Sequence, residues 1–152
     1  REAGAMYISI AEPGTVTLSP KNFEYYIVPR VNRIFDSIDC WKGMHICGDT
    51  SLFLDMMLNC HLDAISLDQI MDYEKIRKRI PENKVLIGNL DPIYIVGRGR
   101  VEEIEEATRN LCNIMSSHNN YICAFGCNCL NDTPDENLRM AINTARNYMK
   151  GG

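Results

Sequence analysis

The sequence predicts an α/β protein of the (β/α)8 TIM-barrel type, with about five C-terminal β/α units present in the chain. Three observations carry this. Short apolar runs alternate with helical patterns five times, which implies parallel strands joined by right-handed crossovers, as in a barrel or an open doubly wound sheet. Polar residues gather where the runs end: Glu12, His45, Cys47, Asp68, Asn89, Asp91 and Cys127, the end at which barrel enzymes place their chemistry. The chain has 152 residues, whereas a closed barrel takes eight units and about 250 residues. It opens on Arg1-Glu2-Ala3-Gly4, which reads as the tail of an earlier helix with a glycine cap. Residues 1–152 therefore read as a single domain, the C-terminal portion of a larger barrel.

The elements follow in order. Ala5 to Ile10 is a strand, ending at Ala11-Glu12-Pro13-Gly14. Ser19-Pro20 offers an N-cap and a first-turn proline for a helix through Phe23, Tyr26, Ile27, Ile34 and Ile38, with Pro29 expected to kink or divide it. Gly43 to Cys47 is the second strand, and Asp49-Thr50 caps a helix with Leu52, Phe53, Met56 and Met57 on its apolar face. Ala64 to Leu67 is the third strand. Asp72 caps a helix from Tyr73 to Ile80 that Pro81 stops. Val85 to Ile87 is the fourth strand, leading into Gly88-Asn89-Leu90-Asp91-Pro92. The clearest helix has Val101, Ile104, Leu111 and Met115 on one face, with glutamates near its N-terminus. Tyr121 to Phe125 is the fifth strand and delivers Gly126-Cys127. Thr133-Pro134-Asp135-Glu136 reads as a capping box for a last helix burying Leu138, Ala141, Ile142, Ala145 and Met149.

A hydrophobic share of 45% supports a folded core, and a net charge of −4 without a basic stripe excludes the electrostatic footprint of a nucleic-acid binder. No apolar run approaches the roughly 18 residues of a membrane span, and no signal-peptide pattern is present, so the chain reads as cytoplasmic. Its cysteines are then expected as reduced thiols. Cys40, Cys60, Cys112 and Cys123 read as structural, the last three as small buried hydrophobes.

His45, Cys47 and Cys127 have a different character. Residues two apart in a strand share a face, so His45 and Cys47 can grip one ion from one side. Cys127, at the end of a distant strand, would complete three protein ligands with a position left open, the pattern of a catalytic rather than a structural zinc site. On the residues alone, Cys129 is an alternative third ligand.

Leu18-Ser19-Pro20, His45-Ile46-Cys47-Gly48-Asp49-Thr50, Gly88-Asn89-Leu90-Asp91-Pro92, Gly126-Cys127, Thr133-Pro134 and Glu136-Asn137-Leu138, in this order, give the chain its resemblance. It resembles the uroporphyrinogen decarboxylase superfamily, and within it the zinc-dependent corrinoid methyltransferases of the methylcobamide:coenzyme M type. The resemblance implies that His45, Cys47 and Cys127, not Cys129, ligate Zn2+. It further implies transfer of a methyl group from a methylated corrinoid (methylcobamide) to a small-molecule thiol such as coenzyme M. The chain lacks an Asp-x-His-x-x-Gly corrinoid-ligand motif, so the cofactor is expected on a separate corrinoid protein. Glu12 and Asp91 are candidate catalytic carboxylates that could receive the thiol proton, orient a ligand or fill the open metal position, the alternative being loop capping or support behind the ligands. Two other readings stand beside this one: a metal-free uroporphyrinogen decarboxylase-type lyase, and a catalytically incomplete zinc-binding fragment. Five strands would also leave two exposed sheet edges, which a second copy in a homo-oligomer or further strands must cover.

Overall fold

The computed structural model describes residues 2–150, without the side chains of 149 and 150. Arg1, the start of the expected helix tail, and the side chain of Met149, expected in the core, lie outside the described residues. Five strands, β1 (Tyr7–Ala11), β2 (Trp41–Ile46), β3 (Ala64–Leu67), β4 (Val85–Leu90) and β5 (Tyr121–Phe125), form one sheet in the order β1-β2-β3-β4-β5. Every pairing is parallel. Among the described residues the strand order never reverses, so they hold no switch point of the kind a doubly wound sheet requires. Right-handed crossovers then keep the helices on one face, which makes the sheet an arc of a (β/α)8 barrel.

The pleat divides the sheet into two unlike faces. Met44, Ile65 and Leu86 stand in one register row and, with Ile46 and Leu67, are fully buried under the helices. Burying each such side chain contributes about 1.5–3 kcal/mol. The neighbouring row, Ala11, His45, Ser66, Ile87 and Ile122, points to the face that lines a barrel interior, where all five side chains keep some solvent access. Among the described residues β1 and β5 each pair on one side only.

After β1 the chain forms α1 (Pro20–Asn22), whose Ser19 Oγ accepts a hydrogen bond from Asn22 N at 3.3 Å. It continues through a π-type stretch, Phe23–Ile27, into α2 (Val28–Asp36). Pro29 was expected to kink or divide this helix. The helix is divided just ahead of it: the turn widens, and Val28 N donates to the Phe23 carbonyl five residues back. A proline lacks the N–H for the usual bond and crowds the carbonyl four residues earlier, and the wider turn accommodates both. The same widening keeps Phe23, Ile27, Val31 and Phe35 in line at intervals of four. That stripe faces the core, while Tyr26 and Ile34, expected on it, are exposed.

The later helices hold other departures. α3 is only Leu54–Leu58, because Thr50 does not serve as its cap: it is fully buried, with its amide and hydroxyl directed at Met71 Sδ at 3.4 and 3.6 Å. Leu52, expected in the core, is 71% exposed. α4 (Tyr73–Ile76) is capped as expected, Asp72 Oδ1 accepting from Lys75 N, and gives way to a single 3-10 turn at Arg77–Arg79. α5 (Val101–Met115) buries Ile104, Leu111 and Met115, and Glu103 Oε2 accepts from Arg100 N at 2.8 Å to hold its start. α6 (Asp135–Lys150) packs Asn137, Ala141 and Thr144 inward and leaves Ile142 exposed. The expected capping box at its start is not formed, since the buried Thr133 hydroxyl has no partner. Asn137 Nδ2 instead anchors α6, donating to the carbonyls of Val96 and Gly99 at 2.8 and 3.2 Å. No helix among the described residues is long and apolar enough to cross a membrane.

Candidate metal centre

β2 presents His45 on the interior-facing row, and Cys47 follows one residue past the strand's end. Gly48 then takes φ +86°, a left-handed conformation that favours glycine and turns the chain away from the sheet. Across the sheet, β5 ends at Phe125 and Gly126 N continues the ladder by donating to Leu90 O at 2.8 Å. Gly126 passes hard against the loop after β3: a Cβ there would stand 2.4 Å from Gln69 N and 2.7 Å from Gln69 Cα. Only a residue without a side chain fits, and this close passage sets where Cys127 emerges.

The three side chains meet. His45 Nε2 lies 3.3 Å from Cys47 Sγ, and Cys47 Sγ lies 3.3 Å from Cys127 Sγ. One ligand atom from each falls within 4.8 Å of the others, and all three residues are half-buried. Atoms bound to one zinc ion at about 2.0–2.3 Å sit within about 4.6 Å of one another, so the cluster has the size of a single site. Two thiolates and an imidazole are also the donor types that suit zinc. Burial, the hydrogen bond with Cys127 and the negative charges of Cys127 and Asp68 push the Cys47 thiol up to about 11. The Cys47 thiol thus resists ionisation unless a cation sits beside it.

Two residues of the β3 segment brace the cluster. Ser66, paired with His45 in the register, places its Oγ 3.0 Å from His45 Nδ1. Asp68 is buried, and its two carboxylate oxygens accept from Gly48 N at 2.8 Å and Ile70 N at 3.1 Å, fixing the turn after Cys47. Asn89 Nδ2 secures the same loop through the carbonyls of Asp68 and Met71. The sequence marks Asp68 only as one of the polar residues at the strand ends, and Ser66 not at all. The signal was a polar residue at every second position, 66 and 68, at the end of a short apolar strand.

Other expected site residues lie apart. Cys129 is half-buried outside the cluster. The exposed Glu12 meets the site through its backbone, donating its N–H to His45 O at 3.0 Å. Asp91 Oδ1 accepts from Ile93 N and Tyr94 N at 2.8 and 2.9 Å, a loop-capping arrangement. Neither carboxylate joins the metal-sized group. Cys60 and Cys112 are buried, and burial pushes their thiols up to about 11 and about 12.

Comparison with known proteins places the chain among relatives. The family model described as uroporphyrinogen decarboxylase (URO-D) matches residues 1–148. A methylcobamide:CoM methyltransferase of Methanosarcina acetivorans is 30% identical over 97% of this chain and 43% of its own length. A uroporphyrinogen decarboxylase of Prochlorococcus marinus is 28% identical over 91% of this chain and 40% of its own. Among solved structures, a methyltransferase from Methanosarcina mazei superposes with a TM-score of 0.87 at 24% identity, over 97% of this chain and 44% of that one. The chain spans less than half the length of these relatives.

Proposed function

The chain belongs to the uroporphyrinogen decarboxylase family, and from that premise we propose that it supplies the metal centre of a zinc-dependent methyltransferase that moves a methyl group from a methylated corrinoid protein to a thiol such as coenzyme M. The observation that carries the proposal is the convergence of His45, Cys47 and Cys127 within 4.8 Å. The similarity to a methylcobamide:CoM methyltransferase supports the reaction class.

Zinc bound there would supply a Lewis acid that holds a substrate thiol as its thiolate, the nucleophile for methyl transfer. The protein's part is positional. His45 on β2, Cys47 just past its end and Cys127 just past β5 would hold the ion, and three protein ligands would leave a position for the thiol. Glu12, exposed and tied to His45 O through its backbone N–H, is assigned receipt of the thiol proton. Asp91 is assigned the shaping of the β4 loop through its two amide contacts. The methylated corrinoid arrives on its partner protein at the strand C-terminal end, where these residues lie. Further strands or a second copy cover the edges of β1 and β5.

The test measures bound zinc together with thiol-dependent loss of methyl from methylcobalamin, with coenzyme M and tetrahydrofolate as competing acceptors. The proposal expects zinc, a thiol-dependent rate, and loss of both in Cys47→Ala. Similarity to uroporphyrinogen decarboxylase favours the second reading, a lyase, which predicts porphyrinogen decarboxylation with no metal. Zinc without turnover would leave a catalytically incomplete metal-binding unit.

A further inference from the structure

A histidine binds a metal through one ring nitrogen only when the other carries the hydrogen, and the partner of that second nitrogen decides which tautomer exists. In this chain Nε2 of His45 faces Cys47 Sγ at 3.3 Å, so Nε2 is the metal-side nitrogen. Nδ1 must then hold the hydrogen, and Ser66 Oγ at 3.0 Å is the acceptor it meets. The register explains why. His45 and Ser66 are cross-strand partners in the parallel pair β2·β3, with side chains on the same face of the sheet. In Ala64-Ile65-Ser66-Leu67 the two buried neighbours are apolar, Ile65 and Leu67 being fully buried, while Ser66 stands half-buried on the interior face. A strand at that position has no structural need of a hydroxyl; His45 does.

We propose that Ser66 is a positioning residue for the metal centre, holding His45 in the Nδ1–H tautomer with Nε2 aimed at the ion. The inference deepens the zinc reading and rests on it. Threonine preserves the hydroxyl, whereas alanine keeps the strand and removes the acceptor.

Zinc affinity, measured by competition with a chromophoric chelator, compares the full chain with Ser66→Ala and Ser66→Thr. Losing an outer hydrogen-bond partner of a ligand costs roughly 10–100-fold in metal affinity. Ser66→Ala should fall in that range, Ser66→Thr should recover most of the loss, and both should melt within a degree or two of the parent. Nitrogen NMR of the His45 ring in the metal-free protein supplies a second readout: Nδ1 protonated in the parent, a tautomer mixture in Ser66→Ala. Unchanged affinity and an unchanged tautomer in Ser66→Ala would overturn the assignment of Ser66. If the parent itself binds no zinc, the zinc reading fails separately, and the tautomer measurement still decides whether Ser66 sets the ring.

Discussion

Replacing Gly126 by alanine perturbs the metal centre without touching a ligand. The added Cβ would stand 2.4 Å from Gln69 N and 2.7 Å from Gln69 Cα, both backbone atoms that cannot rotate away. Ordinary contact begins near 3.4 Å, so the end of β5 or the loop after β3 must move by about 1 Å. Cys127 is the next residue, and its Sγ is 3.3 Å from Cys47 Sγ. Metal–ligand distances tolerate only about 0.2 Å, so a 1 Å displacement removes Cys127 from the set or strains the rest. Overpacking of this kind costs about 1–3 kcal/mol in stability. Losing one of three ligands should weaken zinc binding by at least about 100-fold, or about 2.7 kcal/mol. Chelator competition measures the second effect and urea denaturation of the metal-free protein the first. Parent-like zinc affinity in Gly126→Ala would refute the claim that this close passage positions Cys127.

Asp68→Asn leaves one carbonyl oxygen where two carboxylate oxygens serve Gly48 N and Ile70 N, so one amide loses its acceptor. The expected cost is about 1–3 kcal/mol by denaturation, with weaker zinc binding through a looser Cys47 turn; no change in either would count against the bracing role. Burial raises the Cys60 and Cys112 thiols from 9.0 to about 11 and about 12. The folded state therefore holds these protons after the unfolded chain has lost them. Their stabilisation is complete below pH 9 and fades as pH climbs toward 11–12, so urea midpoints should fall across that window, and a flat profile would contradict the burial. Chelation of the metal should expose Cys47 and Cys127 to iodoacetamide while Cys60 stays protected, read by peptide mass mapping. Equal labelling before and after chelation would argue against both thiols as ligands.

Much of the scaffold was legible because the strands are short, apolar and bounded by turn residues. β3, β5 and α5 fall where their patterns place them. Periodicity alone left barrel and doubly wound sheet open, and the sequential strand order resolves them. Helix faces were harder. The π-type stretch before Pro29 shifts the helical phase, which a fixed period cannot anticipate, and so Tyr26 and Ile34 were assigned inward. Thr50 looked like a cap because threonine prefers that place, yet tertiary packing on Met71 claims it. At the site, the convergence of His45, Cys47 and Cys127 follows from strand ends meeting at one mouth. Ser66 stayed hidden because its importance depends on cross-strand register, and Asp68 was legible as a strand-end polar residue while its bracing role depends on loop closure. Asp91 shows the converse: a carboxylate at a strand's end attracts a catalytic reading, while its oxygen serves two nearby amides.

The most direct test is cobalt(II) substitution of the metal-free chain, followed by visible absorption and metal content. One ion per chain is expected, with the intense thiolate-to-cobalt bands and tetrahedral d–d bands of a site holding two sulfurs and one nitrogen. Both should disappear in Cys47→Ala and Cys127→Ala and persist in Cys129→Ala. No bound cobalt, or a spectrum lost in Cys129→Ala and kept in Cys127→Ala, would contradict the metal centre assigned to His45, Cys47 and Cys127.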